Sequence, residues 1–362
     1  MIWNWQENLW PHFHYQEEKV FKLDQKFLQQ AGGILAILNF LDEEAKNLFI
    51  VEQLSSDGLK SAQIEGEILE RASLQSSLLR HFGLKKDIKK VPAKEEGMAD
   101  LMCEVYENYE KPLSHELLFK WHRLLMTAEK QIEALGCYRT HEDPMQIVSN
   151  RYGDLKVHFE APPSKQVERE MEQFIQWFNS NEKESILGKA AKAHVYFESI
   201  HPFEDGNGRI GRALVEKFLS KALGHPTLIA VSAAIEKRRK EYYEALAVCN
   251  RTLEITSWVE FFAEVILQAQ EDSQGHIHFL MQKSKLMNSL AGTLNLRQEK
   301  ALLRIFAEGK EGFKGGLSAE NYIAITKASK ATATRDLADL VEKGALVKTG
   351  QLRHTRYWLP LT

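Results

Sequence analysis

The chain has 362 residues, of which 44% are hydrophobic, 27% charged and 10% aromatic, a balance that fits folded soluble protein and excludes collagenous, low-complexity and disordered classes. Lys and Arg total 47 against 50 Asp and Glu, for a formal net charge of −3, so no chain-wide coat for nucleic acid or anionic membrane exists and only a local basic patch stays open. The length fits two or three domains.

In chain order, the opening MIWNWQENLWPHFHYQ lacks a basic segment followed by an apolar one and is not a signal peptide. Val20, Leu23, Phe27, Ala31, Ile34, Leu38 and Leu41 recur at steps of three and four, the period of a buried helical face. The most apolar run, GGILAILNFL at 32–41, is about half a membrane span. Cys103, Cys137 and Cys249 are too few and too scattered for a disulfide framework or a zinc cluster. The expected compartment is the cytoplasm, with no membrane partner.

Residues 1 to about 95 read as a helical region holding three of the seven tryptophans, closed by the charged connector KKDIKKVPAKEEG at 85–97. In QIVSNRYGDLKVHFEAPP at 146–163, two apolar pieces flank a turn at Asn150–Gly153, which predicts a β-hairpin. Ile186, Ala190, Ala193, Phe197 and Ile200 predict a further helix, and Ile210, Leu214 and Phe218 another. A helical core thus runs from about 98 to 290. Within 297–362, TKASKATATRDLADLVEKG at 326–344 reads as helix-turn-helix, and two β-rich pieces around Gly350 and Gln351 read as a hairpin. Together they predict a winged-helix module. The fold class is mainly α.

The informative stretch is HPFEDGNGRIGR at 201–212. One helix ends near Ile200 and the next begins near Asn207. Gly206 and Gly208 allow a tight turn and close approach of a ligand to the backbone. The new helix N-terminus offers unpaired N–H groups to phosphate. Arg209 and Arg212, three apart, lie near one face of the first turns and suit further phosphate oxygens. Asp205 is placed to bind Mg²⁺ that bridges phosphates, and His201 to accept a proton from an attacking hydroxyl. Base, metal ligand, phosphate nest and arginine clamp are the parts that nucleotide transfer needs.

This stretch resembles the Fic family signature HPFx[D/E]GNGRxxR at every fixed position. The resemblance implies a helical catalytic core and transfer of AMP from ATP to a hydroxyl of a target protein. It also implies His201 as general base, Phe203 as the anchor of the loop and Asp205 as the Mg²⁺ ligand. Gly206, Asn207 and Gly208 would form the anion hole, and Arg209 and Arg212 would hold the far phosphates. By the same resemblance the hairpin is a flap that positions the target by strand addition through Ile147 and Val148. EYYEALAVCN at 241–250 is similar to the adenosine-contacting segment, with Tyr243 and Asn250 at its Tyr and Asn. SAQIEG at 61–66 matches the [S/T]xxxE[G/N] pattern of an inhibitory helix, here placed at about 55–80. With Ser61 and Glu65 on one helical face, the Glu65 carboxylate would pair with Arg212 and deny it to phosphate.

The implied partners are ATP with Mg²⁺, hydroxyl-bearing target proteins and the chain itself, with a homodimer also open. Glu65 would equally suit the reverse reaction, removal of AMP, and other transferred groups remain open. A second class of function rests on the C-terminal module as a DNA-binding regulator. There, Lys327, Lys330, Arg335, Arg353, His354 and Arg356 form a modest basic patch. Asp336, Asp339 and Glu342 are expected to offset it, so a protein-docking role is preferred over DNA.

Overall fold

The helical periods resolve into fourteen α-helices and two antiparallel two-stranded hairpins among the described residues. This architecture comes from a computed structural model that describes residues 2–38, 41–85, 90–151, 154–181, 183–306, 308–309 and 312–360. No helix among them is long and apolar enough to cross a membrane.

The chain forms two compact units, Met1–Ser273 and Gln274–Thr362, where the sequence suggests three parts divided near 95 and at 290–297. The first unit holds α1 (Glu17–Leu38), α2 (Glu43–Ile64), α3 (Arg71–His81), α4 (Ala93–Glu107) and α5 (His115–Met126). The hairpin β1 (Gln146–Arg151) and β2 (Asp154–Glu160) follows, then α6 (Ser164–Asn179), α7 (Ile186–Ile200), α8 (Asn207–Leu223), α9 (Val231–Lys237) and α10 (Arg239–Cys249). A long helix, α11 (Thr256–Ser289), runs through the division between the units.

Helix α7 is the axis of the first unit. Ala190, Ala193, Phe197 and Ile200 are fully buried, as are Ile210 and Leu214 of α8 against it. The N-terminal region is part of this unit because it completes α7. The Asp24 carboxylate of α1 accepts the backbone N–H groups of Ile186 and Leu187 at 3.1 and 2.9 Å, and the Ser185 hydroxyl accepts that of Gly188 at 2.9 Å. These bonds satisfy donors that a helix start leaves open, and the carboxylate suits the positive end of the helix dipole. Val20, Phe27, Ala31, Ile34 and Leu38 of the predicted α1 stripe are buried, and Leu41 lies beyond the helix end.

The residues before α1 strap the far end of α7. Asn4 is fully buried; its amide donates to Ser199 Oγ at 2.8 Å and to the Cys249 carbonyl at 2.9 Å, and its N–H donates to the Asn250 carbonyl at 2.9 Å. The Trp5 indole donates to the Glu160 carbonyl at 2.7 Å. In the hairpin, Ile147 pairs with Phe159 and Val148 with Val157, so the register slips at this point. The extra residue kinks the strand and re-aims the side chains on either side of it. Two residues of the expected Asn150–Gly153 turn, 152 and 153, lie outside the described residues.

The second unit has α12 (Leu296–Phe306), α13 (Ala319–Thr326) and α14 (Lys330–Glu342), then a hairpin of β3 (Val347–Thr349) and β4 (Arg356–Trp358). Ala301, Leu302, Tyr322, Leu337 and Leu340 form its core. Two of the expected offsetting carboxylates serve this interior instead. Asp336 is buried, accepts the Tyr322 hydroxyl at 2.9 Å and pairs with Arg297 at 2.8 Å. Asp339 accepts the Gln298 amide at 2.6 Å and pairs with Lys343. Arg335, on the same helix, is exposed.

The Asn4 strap gives a direct test. Asn4→Ala leaves the Ser199 hydroxyl and the Cys249 carbonyl without this buried amide, which costs about 1–3 kcal/mol. The urea midpoint should fall by that equivalent with an unchanged m-value.

Candidate active site

The site grows from the way α7 hands over to α8. Helix α7 is capped by His201, whose backbone is left-handed at φ 50° and ψ 60° and whose N–H reaches the Phe197 carbonyl at 3.0 Å. A residue with a Cβ adopts this conformation at a cost, so it persists only where surrounding contacts over-determine it. Phe203 is fully buried and stacks on His122, with ring centroids 4.3 Å apart and planes at 12°. Gly206 then turns the chain at φ 84° into the first turn of α8. The Asn207 side chain closes the loop by accepting the Phe203 N–H at 2.9 Å and donating to the Phe203 carbonyl at 2.8 Å. The Asn207 side-chain amide is therefore committed to the loop itself. Gly206, Asn207 and Gly208 still bring the α8 N-terminus to the site.

Both arginines of the motif are buried and already matched by carboxylates. Arg212 Nη1 donates to Glu65 Oε1 at 2.8 Å, Nε to Ser61 Oγ at 3.0 Å and Nη2 to the Ser61 carbonyl at 2.8 Å. Burial works against the charge of Arg212, yet Glu65 opposes it strongly enough to hold the guanidinium above its usual range. Arg209 pairs with Glu67 and, at 3.1 Å, with Asp205 Oδ1. The Glu65 carboxylate rests on the start of α8, where a Cβ on Gly208 would meet Oε1 at 2.1 Å. That is the anion position of a helix N-terminus.

Glu65 reaches it by a different route from the expected one. Helix α2 ends at Ile64, short of the 55–80 span, and Glu65 is its C-cap rather than a residue on a helical face. Gly66 follows at φ 86°, its N–H bonds the Gln63 carbonyl at 3.0 Å, and the Glu67 N–H bonds the Ala62 carbonyl at 3.0 Å. These two bonds are a Schellman cap, which favours Gly or Asn at the left-handed position. The cap throws the chain off the helix so that Glu65 and Glu67 address Arg212 and Arg209. The Tyr243 hydroxyl and Arg239 Nη2 both donate to the Ile64 carbonyl, at 3.0 and 2.6 Å.

A cavity of about 510 Å³ joins these parts, lined among others by Glu65, His201, Asp205, Gly208, Tyr243 and Asn250. Ile147 also lines it, whereas Val148, on the other side of the register slip, does not. His201 faces the cavity with its imidazole held neutral: burial, reinforced by the Arg139 guanidinium, lowers it to about 4. Glu198 lies behind it, with Oε2 at 3.8 Å from His201 Nδ1. Burial, aided by Glu65, raises the Glu198 carboxyl to about 8.

Glu67, Arg139 and Glu198 escape sequence reasoning. Glu67 had a signal, since it stands two residues beyond Glu65 and directly after the capping glycine. Glu198 sits one helical turn before His201, which also places it on the same face. Arg139 offers none, because its partners are backbone carbonyls.

Comparison with known proteins agrees with this geometry. Residues 112–219 match the model of the Fic/DOC family. The chain is a Fic-domain protein. Residues 3–84 match a second model, described as a domain of unknown function (DUF4172). The chain is 32% identical over 179 residues to the protein adenylyltransferase Fic of Drosophila mojavensis, covering 47% of this chain and 34% of that protein. With the protein of the same name from Drosophila melanogaster, identity is 30% over 182 residues, covering 47% and 36%. The chain thus spans about a third of the length of these curated relatives. A crystal structure of a Fic family protein from Desulfovibrio desulfuricans G20 shares the fold at a TM-score of 0.53 and 21% identity, covering 96% of this chain and 98% of that one. Fic-1 (residues 134–508) of C. elegans does so at 0.51 and 21%, covering 73% and 74%.

In this Fic chain the cap on α2 is testable. Gly66→Ala places a Cβ at φ 86°, at a cost of about 1–2 kcal/mol. The urea midpoint should fall by that equivalent, and Gly66→Asn should change it little.

Proposed function

We propose that this chain is a protein adenylyltransferase that moves AMP from ATP to a Ser, Thr or Tyr hydroxyl of a target protein, restrained by Glu65. The observation that carries the reading is the convergence of His201 and the α8 N-terminus on one cavity, with the Glu65 carboxylate, bonded to Arg212, standing at the anion position. The named activity of the Drosophila relatives supports the same class.

In this reading the α8 N-terminus and Arg212 hold the phosphates once Glu65 has left. Tyr243 and Asn250 line the adenosine end of the cavity. The target backbone adds to the hairpin beside Ile147. His201 takes the proton of the target hydroxyl as its oxygen bonds to the α-phosphorus; the bond from that phosphorus to the bridging oxygen breaks, and pyrophosphate leaves. While Glu65 stays, Arg212 is unavailable and the phosphates are misplaced for in-line attack.

The residues present fit Mg²⁺. The Asp205 side chain is 59% exposed at the cavity and its bonds run through Oδ1, so its other oxygen would be the one to hold Mg²⁺ together with substrate phosphates. Such an ion would neutralise charge at the α- and β-phosphates. Arg209, paired with both Glu67 and Asp205, keeps that carboxylate in place before the ion arrives.

The decisive experiment is intact-protein mass after incubation with ATP and Mg²⁺. Glu65→Gly should gain AMP increments faster than wild type, while His201→Ala and Glu65→Gly/His201→Ala should gain none. If Glu65→Gly binds ATP but modifies neither itself nor any protein of a lysate supplied as target, AMP transfer is not its reaction.

Acidity provides a second check. His201 acts only as the neutral imidazole, whose folded value lies near 4, below its ordinary value. Activity of Glu65→Gly is therefore present above that value and lost as pH falls through it. Initial rates should hold level between about pH 6 and 7 and decline below about 5.

A further inference from the structure

The most deeply engaged side chain near His201 belongs to none of the motifs. Arg139 is 1% exposed and lies between α5 and β1. Its Nε donates to the His201 carbonyl at 2.8 Å, and Nη2 donates to the Pro162 carbonyl at 2.6 Å and the Ile200 carbonyl at 3.3 Å. Nη1 donates to Ser164 Oγ at 2.9 Å, and that hydroxyl donates onward to the His141 carbonyl at 2.7 Å. The Arg139 N–H also reaches the Pro202 carbonyl at 3.0 Å.

We propose that Arg139 is a positioning residue for the transfer reaction, locking the His201 main chain and the foot of the hairpin into one rigid frame. The inference rests on His201 being the base. Three facts carry it. The carbonyls that Arg139 gathers are those of the last residue of α7, of its cap His201 and of the residue two positions beyond β2, so one guanidinium joins the base to the foot of the hairpin. His201 occupies a left-handed conformation that needs outside support, and its carbonyl is the one bonded most directly by Nε. Arg139 also has no carboxylate partner among the described residues; its charge is answered by helix-end carbonyls, which carry the negative end of the α7 dipole.

An arginine placed only to staple the fold would be well served by an acidic partner. One without it leaves its positive field on the adjacent imidazole. Of the charges that act on His201, those of Glu65 and Asp205 favour the protonated ring, as does the Glu198 main chain, and that of Arg139 adds to burial in favouring the neutral one. The frame therefore does two things for a base: it fixes where the imidazole stands and it keeps the imidazole unprotonated.

The test uses the full chain in the Glu65→Gly background, with Arg139→Gln, Arg139→Lys and Ser164→Ala. The His201 imidazole is titrated by NMR without nucleotide, its signal assigned by loss in His201→Ala. AMP incorporation and ATP affinity are measured beside it. Arg139→Gln should raise the His201 midpoint above about 4, with burial still holding it below its ordinary value. It should also lower incorporation at saturating ATP about 100-fold, as expected of a displaced reacting group, with ATP affinity unchanged. Arg139→Lys should keep the low midpoint yet lose turnover, because charge survives and the fork of hydrogen bonds does not. Unchanged midpoint and turnover in Arg139→Gln overturn the proposal, as does a parallel loss of ATP affinity and signal dispersion, which marks a general staple. If both Arg139 variants unfold, Ser164→Ala decides: reduced turnover at unchanged affinity upholds the frame, and wild-type turnover overturns it. If the Glu65→Gly parent transfers no AMP, the transferase reading fails while the titration still judges Arg139.

Discussion

A guanidinium shut away from water must have its charge answered, by an anion or by an array of carbonyl oxygens. Arg212 is 2% exposed at the start of α8, and leaving such a charge unpaired would cost several kcal/mol. The structure offers one anion, the Glu65 carboxylate, and the geometry of a helix N-terminus suits another, phosphate. In the proposed reading the two would compete for one place, over a glycine with no room for a side chain. Most of what surrounds the site follows from that exclusion: the length of α2, the Schellman cap at Gly66, and the hydroxyl and carbonyl of Ser61 that receive the rest of the guanidinium.

Several titratable groups around this pair are held neutral by burial. Burial holds His194 near 3 and His122 near 4, and it holds Glu198 protonated up to about 8. At neutral pH the interior around the junction therefore contains neutral rings and a neutral acid. Few mobile dipoles remain to screen Arg212 from whichever anion it meets. The same neutrality makes the uncompensated charge of Arg139 felt at His201.

The parts of this arrangement that lie within one stretch of chain were legible in the sequence. HPFEDGNGRIGR carries its own loop, glycines and helix start, so the junction between α7 and α8 could be drawn from residues alone. The SAQIEG pattern pointed to Glu65 and Arg212, but to a helical face instead of a helix cap, because i and i+4 spacing cannot reveal where a helix stops. The loop-closing role of the Asn207 side chain was not legible either: an amide satisfies a donor and an acceptor together, and here both belong to Phe203. The bond of Arg139 to the His201 carbonyl spans 62 residues and that of Arg209 to Glu67 spans 142, and no periodicity encodes such pairs. The division inside α11 was equally hidden, since a continuous helix gives no break in pattern where packing changes partners.

Asp24 shows what this means for the extent of the working molecule. Its carboxylate, from a helix well outside the matched residues 112–219, completes the first turn of the helix that ends in His201. A fragment trimmed to the recognisable domain would begin α7 with bare N–H groups and would also lack α2 and the Glu65 and Glu67 that follow it. It would be less stable and, in the proposed reading, unlatched, and any gain in its rate would mix the two effects. The region with no assigned role is in this sense the other half of the catalytic helix.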